Sequence, residues 1–185
     1  MADTAAPATP DEVYPDDEIR RVLRDTKTIA MVGASANWNR PSYFAMKYLQ
    51  AKGYRVIPVN PKEAAAGNEI LGEKAVASLA EIGVPVDMVD CFRNSDAIPP
   101  IADDAIGIGA KTLWLQLGVR HDGAAEKARA AGLTVIQNRC PKIEYGRLSG
   151  EIGWMGVNTG VISSRRSRRV EPPAPSRRAK GGKPP

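Results

Sequence analysis

The chain is poor in the residues that usually announce chemistry. Its 185 residues include one histidine and two cysteines. No His/Cys group has the spacing of metal ligands, so no metal centre is expected. No nucleophile stands in a pattern with a base, so no catalytic constellation is visible and a non-enzyme is expected. There is no run of about 18 apolar residues, which excludes a membrane-spanning helix. The opening MADTAAPATPDEVYPDDE has no basic start and no apolar stretch, so it does not read as a secretory signal. Two cysteines without an export signal suit a reducing compartment, and a cytoplasmic location is expected. Also missing are the G-x-G-x-x-G pattern of dinucleotide sites and an acidic residue at the end of the second apolar run.

Charge is unevenly spread. The first 18 residues hold Asp3, Asp11, Glu12, Asp16, Asp17 and Glu18 and no base. From Ser163 onward there are eight bases, five prolines and one acid, Glu171. Residues 1–14 read as a disordered acidic extension, 15–162 as one folded domain, and 163–185 as a disordered basic tail. The net charge of +5 therefore belongs to the tail and says little about the folded part. The tail has no aromatic residue to stack on a base, so a solvated segment is the simpler reading. Non-specific contact of the tail with nucleic acid or another acidic partner is the alternative.

What is present is a regular alternation. Apolar runs at Thr28–Val32, Arg55–Val59, Val86–Phe92, Thr112–Leu117 and Thr134–Gln137 read as strands. Helical patterns occupy Pro41–Lys52, Ser95–Ile108 and Gly123–Ala131, with a shorter one near Lys74–Leu79 and an acidic opening helix over Pro15–Thr26. Gly53, Gly109 and Gly132 fall where C-terminal caps are needed. Buried strands alternating with helices predict an α/β fold: a doubly wound five-stranded parallel sheet, Rossmann-like, of order 3-2-1-4-5, in three αβα layers. On that order the third and fifth strands lie at opposite edges. Four steps of about 4.8 Å, roughly 19 Å in all, would separate Cys91 from Cys140, so two free thiols are expected. Trp114 reads as core, Trp154 as a cover for the sheet end, and Asp103 and Asp104 as a solvated helix face. Glu144 and Glu151 are acids with no evident basic partner.

Ligands of wound sheets lie beyond the carboxyl ends of the strands. The segments there are Gly33-Ala34-Ser35 with Arg40-Pro41-Ser42, then Asn60-Pro61-Lys62, Arg93-Asn94-Ser95, Gly118-Val119-Arg120 and Asn138-Arg139-Cys140. Arg40, Lys62, Arg93, Arg120 and Arg139 gather at this edge, which suits a ligand with several phosphates. Loops also carry Lys and Arg for solubility alone. Lys62 suits a ribose phosphate, a feature NADP shares.

Together the runs Val32-Gly33-Ala34-Ser35, Arg40-Pro41-Ser42, Val59-Asn60-Pro61-Lys62, Val86-Asp87-Met88-Val89-Asp90, Trp114-Leu115-Gln116-Leu117-Gly118 and Asn138-Arg139-Cys140-Pro141-Lys142 resemble the small stand-alone CoA-binding proteins. The likeness covers about Pro15 to Leu148, in order and with similar spacing. That family is similar to the nucleotide-binding domain of the succinyl-CoA synthetase alpha chain. The resemblance implies binding of coenzyme A, or an acyl-CoA, through its 3′-phospho-ADP and pyrophosphate portion. Gly33, Ala34 and Ser35 would lie along the pyrophosphate, beside Pro41 and Ser42. Arg40 and Lys62 would neutralise phosphates, and Asn60 and Pro61 would flank the adenosine. Phe92, Arg93, Leu117 and Gly118 would line the neighbouring edge, with Cys140 near the last strand. The synthetases also need a phosphate-carrying histidine from a second domain. The lone His121 reads instead as an exposed loop residue ahead of a helix cap at Asp122. The alternatives kept open are an NADP-dependent reductase, a CoA-ligase subunit, and a nucleic-acid-associated protein acting through its tail. A membrane or a specific nucleic acid is not expected as partner.

Overall fold

The computed structural model describes residues 13–150. The sequence expectations for residues 151–185, among them Glu151, Trp154 and the basic tail, lie outside the described residues, as does most of the acidic extension. The chain opens with α1 (Asp16–Asp25), whose acidic first turn suits the positive helix end and whose Ile19, Val22 and Leu23 are buried. β1 (Thr28–Val32) follows, then α2 (Pro41–Ala51), with Pro41 in its first turn, and β2 (Arg55–Val59). Next come a short α3 (Pro61–Ala65) and a hairpin of β3 (Glu69–Ile70) and β4 (Glu73–Lys74). Leu71 and Gly72 both take positive φ at its tip, the backbone such a two-residue turn demands. β5 (Met88–Cys91), α4 (Ile98–Gly107), β6 (Thr112–Leu115), α5 (Asp122–Ala130), β7 (Thr134–Ile136) and α6 (Pro141–Leu148) complete the described chain. Gly53, Gly109 and Gly132 follow their helices with positive φ, as expected.

The main sheet runs β2-β1-β5-β6-β7, all parallel. One further residue, Val76, bridges Val59 in parallel outside β2. Its amide donates to the Pro58 carbonyl at 3.0 Å, and its own carbonyl accepts from the Asn60 amide at 2.9 Å. With the Val76 segment in third place, the order is the expected 3-2-1-4-5, continued by one more strand. Two expectations are corrected. Val86–Phe92 does not take third place at an edge; its ladder, β5, lies in the middle between β1 and β6. Lys74–Leu79 is not a helix but extended chain leading into a 3-10 turn over Leu79–Glu81, because pairing with β2 claims its backbone groups.

Two apolar layers flank the sheet. Val89, Cys91, Leu113, Leu115 and Val135 face α4 and α5, whose Ala102, Ala105, Ala125 and Ala128 let the helices pack closely. Ile29, Met31, Met88, Trp114 and Ile136 face α1 and α2. Trp114 is wholly buried in this second layer, and its indole N–H donates to the Arg139 carbonyl at 2.8 Å. α6 closes the same side through Tyr145, which makes edge contacts with Tyr48 and Tyr54. Asp103 and Asp104 are solvated, as expected.

Both cysteines are free and buried. The reason is not the distance first inferred. β5 and β7 are two strand positions apart, about 10 Å of sheet. Cys91 points into the α4–α5 layer, whereas Cys140 begins α6 on the opposite side. Glu144 is likewise not without a base: it is buried and accepts from Arg147 Nε and Nη2 at 3.0 and 2.7 Å.

Candidate functional site

The chain's direction in the sheet reverses between β1 and β5. From β1 it winds outward to β2, then returns across the sheet to β5 and continues the other way. This is the switch point of the sheet, the place where wound sheets receive their ligands. Gly33 follows β1 there with φ +85°. A side chain there would place its Cβ 2.5 Å from the Phe92 carbonyl oxygen and 2.9 Å from Arg93 Cδ. Glycine is thus required twice over, by the backbone's hand and by the approach of the β5 loop.

The loop beyond Gly33 is tied to α3. Asn60 caps that helix by accepting from the Lys62 amide at 3.0 Å, while its Nδ2 donates to the Ala34 carbonyl at 2.7 Å. Glu63 accepts from the Ala36 amide at 2.9 Å and from Asn68 Nδ2 at 2.7 Å. These donors, the Ala36 amide foremost and the Ser35 hydroxyl last, hold its carboxyl below the usual range. Within the loop, Ser35 Oγ accepts from the Asn37 amide and Asn37 Oδ1 from the Asn39 amide. Arg40 then stands at the N-cap of α2, followed by Pro41 and the buried Ser42. The first turn of α2 has no acidic residue and no side-chain cap, so no carboxylate there offsets the positive helix end.

The five expected cations divide into two groups. Arg40, Lys62 and Arg93 are exposed. Among the described residues, none of the three has an ion pair or side-chain hydrogen bond to the protein. Arg120 and Arg139 are engaged: Arg120 lies 3.6 Å from Asp122, and Arg139 lies over the Tyr14 ring with its Nε 4.0 Å from Glu144. The charge available to a ligand therefore lies at the β2–β1–β5 side of the edge. The β6–β7 side is different in kind. Leu117 is 56% exposed, and Gly118 and Asn138 both take positive φ. The Gly118 amide donates to Asn138 Oδ1 at 2.7 Å, which joins the two loops.

The other expected site residues, Pro61, Phe92 and Cys140, lie at the same edge: Pro61 opens α3, Phe92 leaves β5 and packs partly into the second layer, and Cys140 caps α6 with little exposure. Cys140 is brought inward because the Arg139 amide donates to the Leu115 carbonyl at 3.2 Å, folding the chain back over β6. Its thiol pKa is raised by burial, against the pull of the Ile143 and Lys142 amides. His121 is not a loop residue ahead of a cap at Asp122. It is itself the N-cap of α5, its Nδ1 accepting from the Ala124 amide at 3.1 Å.

Sequence reasoning passed over Glu63, and it named Asn138, Asp90 and Gln116 only within longer runs, with no role of their own. Glu63 had a signal: Asn60-Pro61-Lys62-Glu63 has the form of a capping box with proline at the first turn. The other three depend on tertiary contacts. Asp90 is wholly buried and accepts from Gln116 Nε2 at 2.7 Å through Oδ1, while Oδ2 has no hydrogen-bond partner. Burial pushes its pKa up to about 7. No group of three or more His, Cys, Asp or Glu residues suited to a metal occurs among the described residues, nor any helix long and apolar enough to cross a membrane.

This is a wound three-layer α/β protein with a glycine turn at its switch point and, among the described residues, three cations without a protein partner at that edge. Residues 27–146 match the family described as CoA binding domain. The chain is 38% identical over 128 residues to the uncharacterized protein YneT of Bacillus subtilis, covering 69% of this chain and 92% of that one. It is similar to the solved structure of cell-free ID.343 from Thermus thermophilus, at TM-score 0.69 and 38% identity over 73% of this chain and 99% of that one. A hypothetical protein from Pyrococcus horikoshii gives TM-score 0.71 and 37% identity over 79% of this chain and all of its own, 100%. The chain belongs to the CoA binding domain family.

Proposed function

We propose that this protein binds coenzyme A, free or acylated, through its 3′-phospho-ADP and pyrophosphate portion, and holds it without turning it over. The observation that carries this reading is the set of three exposed cations, Arg40, Lys62 and Arg93, on the segments that follow β1, β2 and β5, together with the acid-free first turn of α2. A diphosphate along the loop would meet amides and a positive helix end, and a separate ribose phosphate would meet Lys62 beside the adenosine. Leu117 and Gly118 would line the path of the uncharged arm. This scheme assigns no side chain to attack or protonate an acyl carbonyl.

Titration calorimetry with CoA, dephospho-CoA, NADPH and NAD tests it. CoA should bind one to one, dephospho-CoA more weakly, and NAD not at all. Arg40→Ala should weaken CoA by about 1.5–3 kcal/mol, the range for a charge-assisted contact. Absence of CoA binding would refute the reading. A second reading, NADP, is favoured only by Lys62 at the end of β2, and tighter binding of NADPH than of CoA would establish it instead. Deleting residues 163–185 should leave CoA affinity unchanged, and a large loss would give the basic tail a role in the site.

A further inference from the structure

A cavity lies at the other edge of the sheet, by the amino ends of β1 and β2, and the proposed coenzyme edge makes no use of it. Lys27, which leads into β1, and Tyr54, which leads into β2, both line it. Gly33 follows β1 at the far end. Five strand residues at about 3.3 Å each, about 16 Å in all, lie between the two places. The cavity has a volume of about 360 Å³, within the range of small-molecule sites.

Its floor is apolar and aromatic, formed by Leu23, Tyr54, Tyr145 and Leu148. Tyr54 stands edge-on to Tyr145 with ring centres 6.1 Å apart, and its hydroxyl donates to the Leu23 carbonyl at 2.8 Å. Its rim is cationic. Arg20, Arg24, Lys27 and Lys52 border it, and none of its lining residues among the described ones is acidic. Arg20 and Arg24 lie one turn apart on the same face of α1. Arg20 spans the wall from α1 to α6, where its Nη1 donates to the Leu148 carbonyl at 3.0 Å, one of its five N–H groups. Arg24 pairs with Asp25 at 2.9 Å in an exposed contact, of a kind that contributes little. Lys52 Nζ lies 5.2 and 5.7 Å from the ring centres of Tyr48 and Tyr145.

Cations also suit helix C-termini, and α1, α2 and α6 all end here. That accounts for only part of the charge. Three helix ends carry roughly −1.5 charges together, and with the Asp25 carboxylate they still fall short of the four cations by more than one unit. Asp87, which accepts from the Lys27 amide at 2.9 Å, is already matched by Lys111 at 2.7 Å. Positive charge in excess above an aromatic floor favours an anion that also carries a ring.

We propose that this cavity is a ligand site separate from the Gly33 edge, and that it takes an anion of the nucleotide kind. The ring would rest against the half-buried Tyr145 and Leu148, and the phosphates would meet Arg20, Arg24 and Lys27. Guanidinium forks match pairs of phosphate oxygens, and a bare anion would leave the aromatic floor uncovered.

The test titrates the full chain with ATP, adenosine and inorganic tripolyphosphate by calorimetry, at about 0.15 M salt to screen diffuse surface attraction. ATP should bind, and more tightly than either fragment. The double variant Arg24→Ala/Lys27→Ala removes two exposed side chains, so it should weaken ATP about tenfold or more while CoA binding and thermal unfolding stay unchanged. Arg40→Ala should leave ATP binding unchanged. Absence of ATP binding would overturn the inference. So would an ATP affinity that the double variant leaves intact, which would put the nucleotide on the other edge or on the basic tail. Tripolyphosphate binding as tightly as ATP would overturn it too, since charge alone would then suffice. The two readings fail separately: CoA binding without ATP binding sinks this one alone, and ATP binding through Arg24 and Lys27 without CoA binding sinks the other.

Discussion

Replacing Asp90 with asparagine gives the sharpest physical test of the buried edge. In the folded protein burial raises the Asp90 pKa from 3.8 to about 7, the Gln116 hydrogen bond opposing it only in part. The folded state therefore keeps its proton more tightly than the unfolded chain. By linkage, folding stability falls as pH rises from about 4 through about 7, and the full penalty is present above that. At 1.36 kcal/mol per unit, the raised pKa of Asp90 costs about 4 kcal/mol of stability at pH 8 and about 2 kcal/mol at pH 5, where the folded state still holds the proton. Asparagine carries no charge at either pH. It still leaves one polar atom to satisfy, at a cost of about 1–3 kcal/mol that does not change with pH. The absolute difference between the proteins is thus secondary, and its pH dependence is the test. Relative to wild type, Asp90→Asn should gain about 2–3 kcal/mol between pH 5 and pH 8 in urea unfolding. The two thiols, Cys91 and Cys140, both have pKa values raised by burial and stay protonated across this window, so they do not confuse the comparison. A stability difference that is the same at both pH values would show that Asp90 does not titrate as argued.

Other positions give independent checks. Gly33→Ala should cost about 2 kcal/mol or more in urea unfolding, because both its positive φ and the Phe92 carbonyl oppose a Cβ; an unchanged midpoint would refute the close approach. Asn60→Ala removes the α3 cap and the bond to Ala34, and should cost about 1–2 kcal/mol and weaken CoA; unaltered amide exchange at Lys62 would contradict the capping role. Arg147→Ala removes both hydrogen bonds to the buried Glu144 carboxylate and leaves it only Arg139 at 4.0 Å, so thermal unfolding should show a loss of about 2 kcal/mol or more, against little effect of a substitution at the exposed Lys62.

Much of this protein was legible in the residue pattern, and the reasons are local. β1 and β2 are runs of buried residues bounded by turn residues, and both match the expected strands end to end. Pro41 and Gly53 bracket α2 by their backbone constraints alone. Strands toward the other edge were expected to extend further than they do: Gln116 and Leu117, and Gln137, follow the last ladder residues of β6 and β7. Apolar content does not reveal where a ladder loses its neighbour. The segment near Lys74 was misread because nothing local shows that β2 has an open edge to pair with Val76.

The sequence by itself determined the class of fold, the glycine turn after β1 and the family, since each depends on short stretches whose backbone preferences and order are written in consecutive residues. Only the tertiary structure decided that β5 is central, that among the described residues Arg40, Lys62 and Arg93 are left unengaged while Arg120 and Arg139 are occupied, and that Asp90 is buried against Gln116. Those facts depend on which strands become neighbours and which charges find partners, and such distances arise between residues far apart in the chain.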